Sequence, residues 1–146
     1  MALSSVIPLL LGATLSGLAY ATGAEEVTGP AGTTPIELEQ FVRKLQAAVA
    51  TQRPEAVAGF VNFPLRVNQS NRKPKYITKA QFTAEFSTVF TPKVVAAVAS
   101  QDPKALFQNY QGAMFGNGEV WVSSICANSA CTSSSLFVVS VNLPAK

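Results

Sequence analysis

The chain has 146 residues, a formal net charge of +3 and 48% hydrophobic residues, a composition that suits one globular domain with a single core. So mild a positive charge does not indicate a nucleic-acid-binding protein, and we expect no nucleic acid partner. The chain contains no histidine. This excludes Ser-His-Asp and Cys-His nucleophile activation and most transition-metal sites, and we expect neither a metal nor a cofactor.

The first 21 residues have the features of a secretory signal peptide. No charged side chain occurs before Glu25, an apolar run extends from Val6 to Ala19, and Ala19-Tyr20-Ala21 matches an A-x-A cleavage site. A retained membrane anchor is the alternative, but the run is too short and too diluted by small residues to span a bilayer. We therefore expect cleavage after Ala21 and a periplasmic or secreted mature chain with no integral membrane anchor.

After a flexible leader at residues 22–33, the single domain at residues 34–146 is predicted to open with helices. Thr34-Pro35-Ile36-Glu37 combines a capping hydroxyl, a proline at the first helical position and a glutamate three residues after the cap. Apolar residues at helical spacing continue this helix to about Thr51. A short second helix is predicted from Pro54 to Val61.

The next segment changes to the period of a strand. The alternation from Phe63 to Val67 predicts a strand, and Pro64 within it favours an edge position. Tyr76 and Ile77 are predicted to pair back as a short strand. Residues 66–79 also carry five positive charges and no acid. They form either a solvated hairpin tip that protects an edge strand, or a patch facing an acidic partner, polyanionic envelope material or lipid headgroups.

The third helix is predicted to begin with a second capping box at residues 78–81. It carries one stripe of aromatic side chains, namely Phe82, Phe86 and Phe90. A further short helix is predicted at residues 91–99, because Thr91 and Pro92 stop one helix and start the next. Asp102 is predicted to cap one last turn that ends at Phe107.

From Tyr110 onward the pattern is that of strands. Apolar runs at residues 113–115, 119–126 and 134–143 predict three strands, and Gly116-Asn117-Gly118 predicts a hairpin turn between the first two. Helices first and strands last are typical of an α+β domain. We expect N-terminal helices packed on one face of a curved, antiparallel C-terminal sheet.

Cys126 and Cys131 are the only cysteines, and an exported chain meets an oxidising compartment. A local disulfide is the favoured interpretation. Zinc binding is the first alternative, but two thiolates do not fill a tetrahedral site and no histidine completes it. A catalytic redox pair is the second, but such pairs use C-x-x-C spacing at a helix start.

The order of helix, helix, short hairpin, helix and three long strands resembles the NTF2-like superfamily. More locally, Phe63-Pro64-Leu65 before a basic turn and the run from Gly116 to Val122 resemble uncharacterised exported bacterial proteins of that superfamily. The resemblance extends from Thr34 to Leu143. It implies a cone of helices against a bent sheet, with a pocket at the wide end that some members use for catalysis and many for binding. Such a fold does not by itself give a function.

Five side chains are candidates for ligand binding, namely Arg66, Tyr76, Tyr110, Glu119 and Trp121. Glu119 is predicted on a strand beside the hairpin turn, on the same face as Trp121. It is then either a solvated strand end or a pocket carboxylate beside an aromatic wall. Trp121 is either a core residue or a platform for a ligand. No residue is predicted to be catalytic.

Two classes of function follow from these candidates. The favoured one is an exported, non-enzymatic binding module for a protein or for a small apolar or anionic ligand. The alternative is a histidine-free isomerase or hydrolase that uses Glu119 as its pocket carboxylate and Tyr76 or Tyr110 as a donor. Glu119 within hydrogen-bond reach of a tyrosine hydroxyl in a closed cavity would favour the enzyme.

The last strands carry more apolar surface than a sheet covered on one side requires. Both parities are apolar in the run from Leu136 to Val141 and in the run from Val120 to Val122. Exposed apolar patches mark interaction sites. Because NTF2-like domains often pair sheet to sheet, the resemblance also implies a homodimer or a protein partner on that face.

Overall fold

The computed structural model describes residues 28–144, so the expected signal peptide at residues 1–21 and leader residues 22–27 lie outside the described residues. The helices are α1 (Pro35–Ala50), α2 (Pro54–Ala58), α3 (Lys79–Ala84), α4 (Phe86–Val89) and α5 (Pro92–Ser100). The strands are β1 (Val61–Gln69), β2 (Lys75–Ile77), β3 (Phe107–Asn109), β4 (Gly112–Phe115), β5 (Val120–Cys126) and β6 (Ser134–Leu143). The predicted α+β class is confirmed.

Two helices begin at the capping boxes that the sequence predicts. At the start of α1, the Glu37 amide donates to Thr34 Oγ1 at 3.3 Å and Glu37 Oε2 accepts from the Thr34 amide at 3.0 Å. The hydrogen bond from the Thr34 amide, together with hydrogen bonds from the hydroxyls of Thr34 and Thr33, holds the pKa of Glu37 below its ordinary value. Thr78 and Gln81 form the same pair of bonds before α3. Local capping therefore determines where these helices start.

The predicted third helix is two short helices, because the backbone leaves helical geometry at Glu85 between α3 and α4. Its aromatic stripe nevertheless survives the break. Phe82 is fully buried and packs edge-to-face against Phe63, Phe86 and Phe90, with ring centroids 5.5 to 5.8 Å apart. These rings join α3 and α4 to β1 and fill the space between helices and sheet at this end.

The sheet is mixed, with strand order β2-β1-β6-β5-β4-β3. The prediction that β1 is an edge strand was wrong, because β1 lies between β2 and β6 and pairs with β6 in parallel. Pro64 is tolerated there because the β1–β6 register shifts between Val61 and Arg66. The regular ladder of hydrogen bonds is interrupted in this stretch, so it loses no bond through the missing N–H of proline. The remaining pairs, including β4–β5–β6, are antiparallel as predicted.

The core lies between the helices and one face of this sheet. Fully buried side chains come from both layers, namely Val42, Leu45, Val94 and Val98 from helices and Leu65, Val120, Val122, Val138 and Val141 from strands. Gln46 of α1 ties the C-terminal end of α5 to this layer, since its side-chain amide donates to the carbonyls of Val98 at 3.0 Å and Gln101 at 2.8 Å. No described helix is long and apolar enough to cross a membrane.

Two loop segments differ from expectation. Leader residues 28–33 form a turn, closed by a 2.8 Å bond from the Gly29 amide to the Thr33 carbonyl, and Ala31 and Thr33 are buried against the domain. The packed domain thus begins before Thr34. The predicted helical turn after Asp102 is instead a tight turn, in which Asp102 Oδ1 accepts from the Lys104 amide, and Phe107 already belongs to β3.

Cys126 and Cys131 form the predicted disulfide, which closes the connection between β5 and β6. Because a cross-link over so short a loop removes little chain entropy from the unfolded state, we expect the bond to stabilise the domain by roughly 2 kcal/mol. The Cys126→Ser, Cys131→Ser double variant should lose that amount in chemical denaturation. Reductant should add two hydrogens to the wild-type mass and reproduce the loss. Equal stability of the oxidised and reduced forms would contradict this expectation.

Candidate binding groove on the open face of the sheet

Strand pairing places six side chains in one row on the sheet face that carries no helix. Residues directly opposite one another in neighbouring strands point to the same face. The registers give a continuous row across all six strands, namely Tyr76, Arg66, Ser140, Trp121, Met114 and Phe107. The chain neighbours of these residues, such as Leu65 and Val120, point into the core. The row therefore crosses the open face from β2 to β3.

A bulge in β6 decides which apolar residues face outward. Val122 pairs with Val138 but Trp121 pairs with Ser140, so Val139 is an extra residue in β6. Val138 before the bulge and Val141 after it are consequently both buried against the helices. This switch of phase accounts for the burial of Val141. Val139 remains on the open face, where it lines a groove.

The middle of the row lies in a groove of about 560 Å³. Trp121, half-buried, and Tyr76, 60% exposed, contribute aromatic surface to it. The polar side chains that line it come from β1, β6 and the β3–β4 turn, namely Asn62, Arg66, Asn68, Gln111, Ser140 and Asn142. Within residues 28–144, no acidic side chain lines this groove. Its volume is within the range of small-ligand sites.

A chain of hydrogen bonds supports the orientation of Arg66, whose side chain is exposed. Arg66 Nε donates to Asn68 Oδ1 at 2.9 Å, Asn68 Nδ2 donates to Asn142 Oδ1 at 2.6 Å, and Asn142 Nδ2 donates to the Gly118 carbonyl at 2.6 Å. These bonds connect β1 to β6 and to the β4–β5 turn. Among residues 28–144, the hydrogen bonds of this guanidinium use Nε alone, so the groups at Nη1 and Nη2 are left to meet a ligand.

The structure brings together three of the five predicted ligand-binding residues. Arg66, Tyr76 and Trp121 all line the groove. Tyr110 does not, because it stands at the tip of the β3–β4 turn with 89% of its surface exposed. The polar lining was missed, although a signal for it exists in β1. Every second residue of this strand lies on one face, and that face lacks large apolar side chains, namely at Asn62, Pro64, Arg66 and Asn68.

Glu119 lies apart from the groove, which corrects both interpretations of it. It is 8% exposed and belongs to the turn before β5, so strand alternation does not apply to it. Its Oε2 accepts from the Asn117 amide at 2.7 Å, and Oε1 lies 3.9 Å from Lys93 Nζ on α5. The carboxylate therefore faces the helix layer, and the nearby Gly116 leaves the space it occupies. No hydrogen bond joins it to a tyrosine in the described part of the chain.

The basic segment at residues 66–79 divides between two surfaces. Arg66 points into the groove, whereas Lys75 lies 3.3 Å from Glu85 in an exposed ion pair that contributes little stability. Arg72 lines a second depression of about 720 Å³ together with Lys93 and the hydroxyl side chains of Ser70 and Thr91. The Thr91 hydroxyl already caps α5 by accepting from the Val94 amide.

Comparisons with protein-family models, with curated proteins and with solved structures gave no match to this chain.

Proposed function

We propose that the mature chain is an exported, non-enzymatic binding module of the NTF2-like type, whose partner docks in the groove on the open face. The observation that carries this proposal is the meeting of an oriented guanidinium, Arg66, with the aromatic surfaces of Tyr76 and Trp121 in one groove. Few precisely oriented polar groups beside aromatic surface are typical of ligand sites. Helices on one face of the sheet, in the chain order that the resemblance implies, support the NTF2-like part.

The disulfide supports export. Disulfides persist mainly in secreted and periplasmic proteins, and Cys126 and Cys131 are bonded. The A-x-A site at residues 19–21 also supports export, because it matches the cleavage site of a secretory signal peptide.

The alternative of a histidine-free isomerase or hydrolase has less support. Such an enzyme needs Glu119 close to a donor such as Tyr76 or Tyr110. Glu119 instead faces α5, where its carboxylate accepts from the Asn117 amide and lies near Lys93. Tyr76 lies on the opposite side of the sheet. The groove and the buried carboxylate are thus two separate features, and only the groove is open to a ligand.

A second copy of the chain is another candidate to cover the open face, as the superfamily resemblance implies. None of the six strands contains an aspartate or glutamate. A sheet-to-sheet homodimer would therefore bury Arg66 without a strand carboxylate to pair with it, and an unpaired buried charge is costly. An acid-bearing partner or ligand fits this face better than a second copy does.

The indole of Trp121 provides a direct test, since it is the only tryptophan of the chain. We expect at least one of three classes of probe (oligosaccharides, acidic peptides or single-chain amphiphiles) to change its fluorescence saturably when titrated into the mature protein. The Trp121→Leu variant lacks this indole, so its binding is measured by calorimetry. It should bind that probe at least about tenfold more weakly than wild type, because aromatic anchors dominate such sites. Glu119→Gln, matched as a change outside the groove, should bind normally.

Three results would contradict the proposal. If none of the three classes of probe alters the emission of Trp121, the groove is not a binding site. Loss of binding in Glu119→Gln but not in Trp121→Leu would favour the enzyme. A dimer in sedimentation at micromolar concentration that Trp121→Asp dissociates would assign the open face to a second copy.

A further inference from the structure

We infer that the groove binds an acidic saccharide, a short oligosaccharide whose uronate carboxylate is held by Arg66 and whose ring stacks on Trp121. This inference rests on the proposed function and names the ligand class for the same groove.

The charge of the ligand follows from Arg66. Its Nε is engaged by Asn68 Oδ1, and within residues 28–144 no hydrogen bond or ion pair engages Nη1 or Nη2. The two Nη groups form the end of a planar fork, a geometry that matches the two oxygens of a carboxylate. Because no acid lines the groove, the ligand must bring the negative charge. The exposed bond from Nε to Asn68 Oδ1, backed by the bond from Asn68 to Asn142, favours this orientation of the fork before a ligand arrives.

The spacing of the row sets the length of the ligand. Ser140 lies between Arg66 and Trp121, so these two residues are two strands apart, or about 10 Å at the usual separation of neighbouring strands. Two pyranose rings joined by a glycosidic bond span such a distance. One ring can then present its carboxylate to Arg66 while the next lays its C–H face on the indole of Trp121.

The rest of the lining favours a polyhydroxylated ligand over an acyl chain. Asn62 and Gln111 line the groove beside the hydroxyl of Ser140. Carboxamides carry both donors and acceptors, and they match pairs of sugar hydroxyls, which do the same. An acyl chain would leave such polar groups unpaired when it covered them, at a cost in free energy.

The position of the groove also argues against a peptide. Extended peptides usually bind by adding a strand to an exposed sheet edge, where backbone groups are unpaired. β1, β6 and β5, which form the floor of this groove, all lie inside the sheet, and apart from the irregular stretch of β1 between Val61 and Arg66 their backbone groups pair with neighbouring strands. A peptide on this face would have mainly side chains as hydrogen-bond partners for its own amides and carbonyls. Sugar hydroxyls can bond to side chains and do not depend on unpaired backbone groups.

The test uses tri-galacturonate as the probe and the emission of Trp121 in the mature protein as the readout. We expect a saturable change with tri-galacturonate and none with its methyl ester at the same concentration, because the ester lacks the charge. Arg66→Gln should weaken binding at least about tenfold, as expected for loss of a charge-assisted bidentate contact. Arg66→Lys, which keeps the charge and loses the fork, should weaken it by a similar factor.

Arg72→Gln is the matched control, since it removes one positive charge from the same β1–β2 hairpin but outside the groove. It should bind tri-galacturonate within about twofold of wild type at physiological salt, where exposed charges are screened. Equal weakening by Arg72→Gln and Arg66→Gln, or unchanged binding by Arg66→Lys, would indicate general electrostatic attraction and overturn the inference.

The two levels of the proposal fail differently. If an acidic peptide quenches Trp121 and tri-galacturonate does not, the groove is a binding site and the saccharide is wrong. If polyphosphate binds as tightly as tri-galacturonate, with the same dependence on Arg66, the groove requires an anion but no sugar ring, and the saccharide is again wrong. If none of these probes alters the emission, the proposed function fails together with the inference.

Discussion

Replacing Phe82 with alanine is expected to lower the free energy of unfolding by about 3 to 5 kcal/mol, the range for a large aromatic side chain removed from a core. Phe82 is fully buried and contacts three other rings, of Phe63, Phe86 and Phe90. Alanine would leave a cavity where α3, α4 and β1 meet. The short helices α3 and α4 depend on such packing, because isolated helices of this length are unstable in water.

The matched control is Phe107→Ala, which removes the same side chain from the 54% exposed end of the row. Its effect on stability should stay within about 0.5 kcal/mol, as for most surface substitutions. Both variants are compared with wild type by chemical denaturation of the mature protein. Phe82→Leu, which keeps an apolar side chain of similar reach, should lose less than Phe82→Ala. Similar losses from Phe82→Ala and Phe107→Ala would show that the aromatic cluster does not support the fold.

This cluster also bears on the groove. Phe63 packs on Phe82 from the buried side of β1, and three residues later Arg66 points from the open side of the same strand. A loss of support under β1 would therefore move the guanidinium relative to Trp121. Residues that never touch a ligand can in this way control the geometry of the site that does.

Local features of this fold could be predicted from the sequence because local chemistry determines them. The capping boxes at Thr34 and Thr78 place the starts of α1 and α3, and Gly116 and Gly118 supply the positive φ angles that the β4–β5 turn needs. The disulfide follows from two cysteines five residues apart. None of these features requires knowledge of what lies across the sheet.

Features that depend on distant parts of the chain could not be predicted in the same way. Pro64 indicated an edge strand, yet β6 pairs alongside β1 in parallel, and no short-range pattern identifies that neighbour. The bulge at Val139 changes which parity of β6 is buried, and a pattern of alternate residues cannot show where such a change occurs. The C-terminal strands β4, β5 and β6 are antiparallel as expected, but the parallel β1–β6 pair makes the sheet as a whole mixed, for the first of these reasons.

The same distinction applies to the candidate site. Arg66, Tyr76 and Trp121 were chosen one by one for their chemistry, but their meeting depends on strand registers, such as the one that pairs Arg66 with the distant Ser140. Asn142 and Asn68 were missed because their role is to bond across β6 and β1. Glu119 was placed beside Trp121 because strand alternation was applied one residue too early, inside a turn.

Gly112 is the second residue whose replacement is expected to have a large effect, and it lies where β4 enters the sheet. Its φ is +134°, a conformation that side-chain-bearing residues rarely adopt. A Cβ there would also lie 3.1 Å from the Val122 carbonyl carbon and closer still to its oxygen, both of which belong to the backbone of β5. Backbone inside a sheet cannot yield as the end of a flexible side chain does.

We therefore expect Gly112→Ala to lower the free energy of unfolding by about 3 kcal/mol, the upper range for a strained backbone residue. The matched control is Gly59→Ala, because Gly59 has a helical φ of −63° and ordinary space for a Cβ, so that alanine there should be neutral or slightly stabilising. Chemical denaturation compares the two variants. Because Met114 of β4 pairs with Trp121 of β5, a shift of β4 should also move the indole emission of folded Gly112→Ala and leave that of Gly59→Ala unchanged. Equal stability of the two variants would mean that Gly112 does not lie as close to the Val122 backbone as described above, and the row that brings Trp121 into the groove would lose its support.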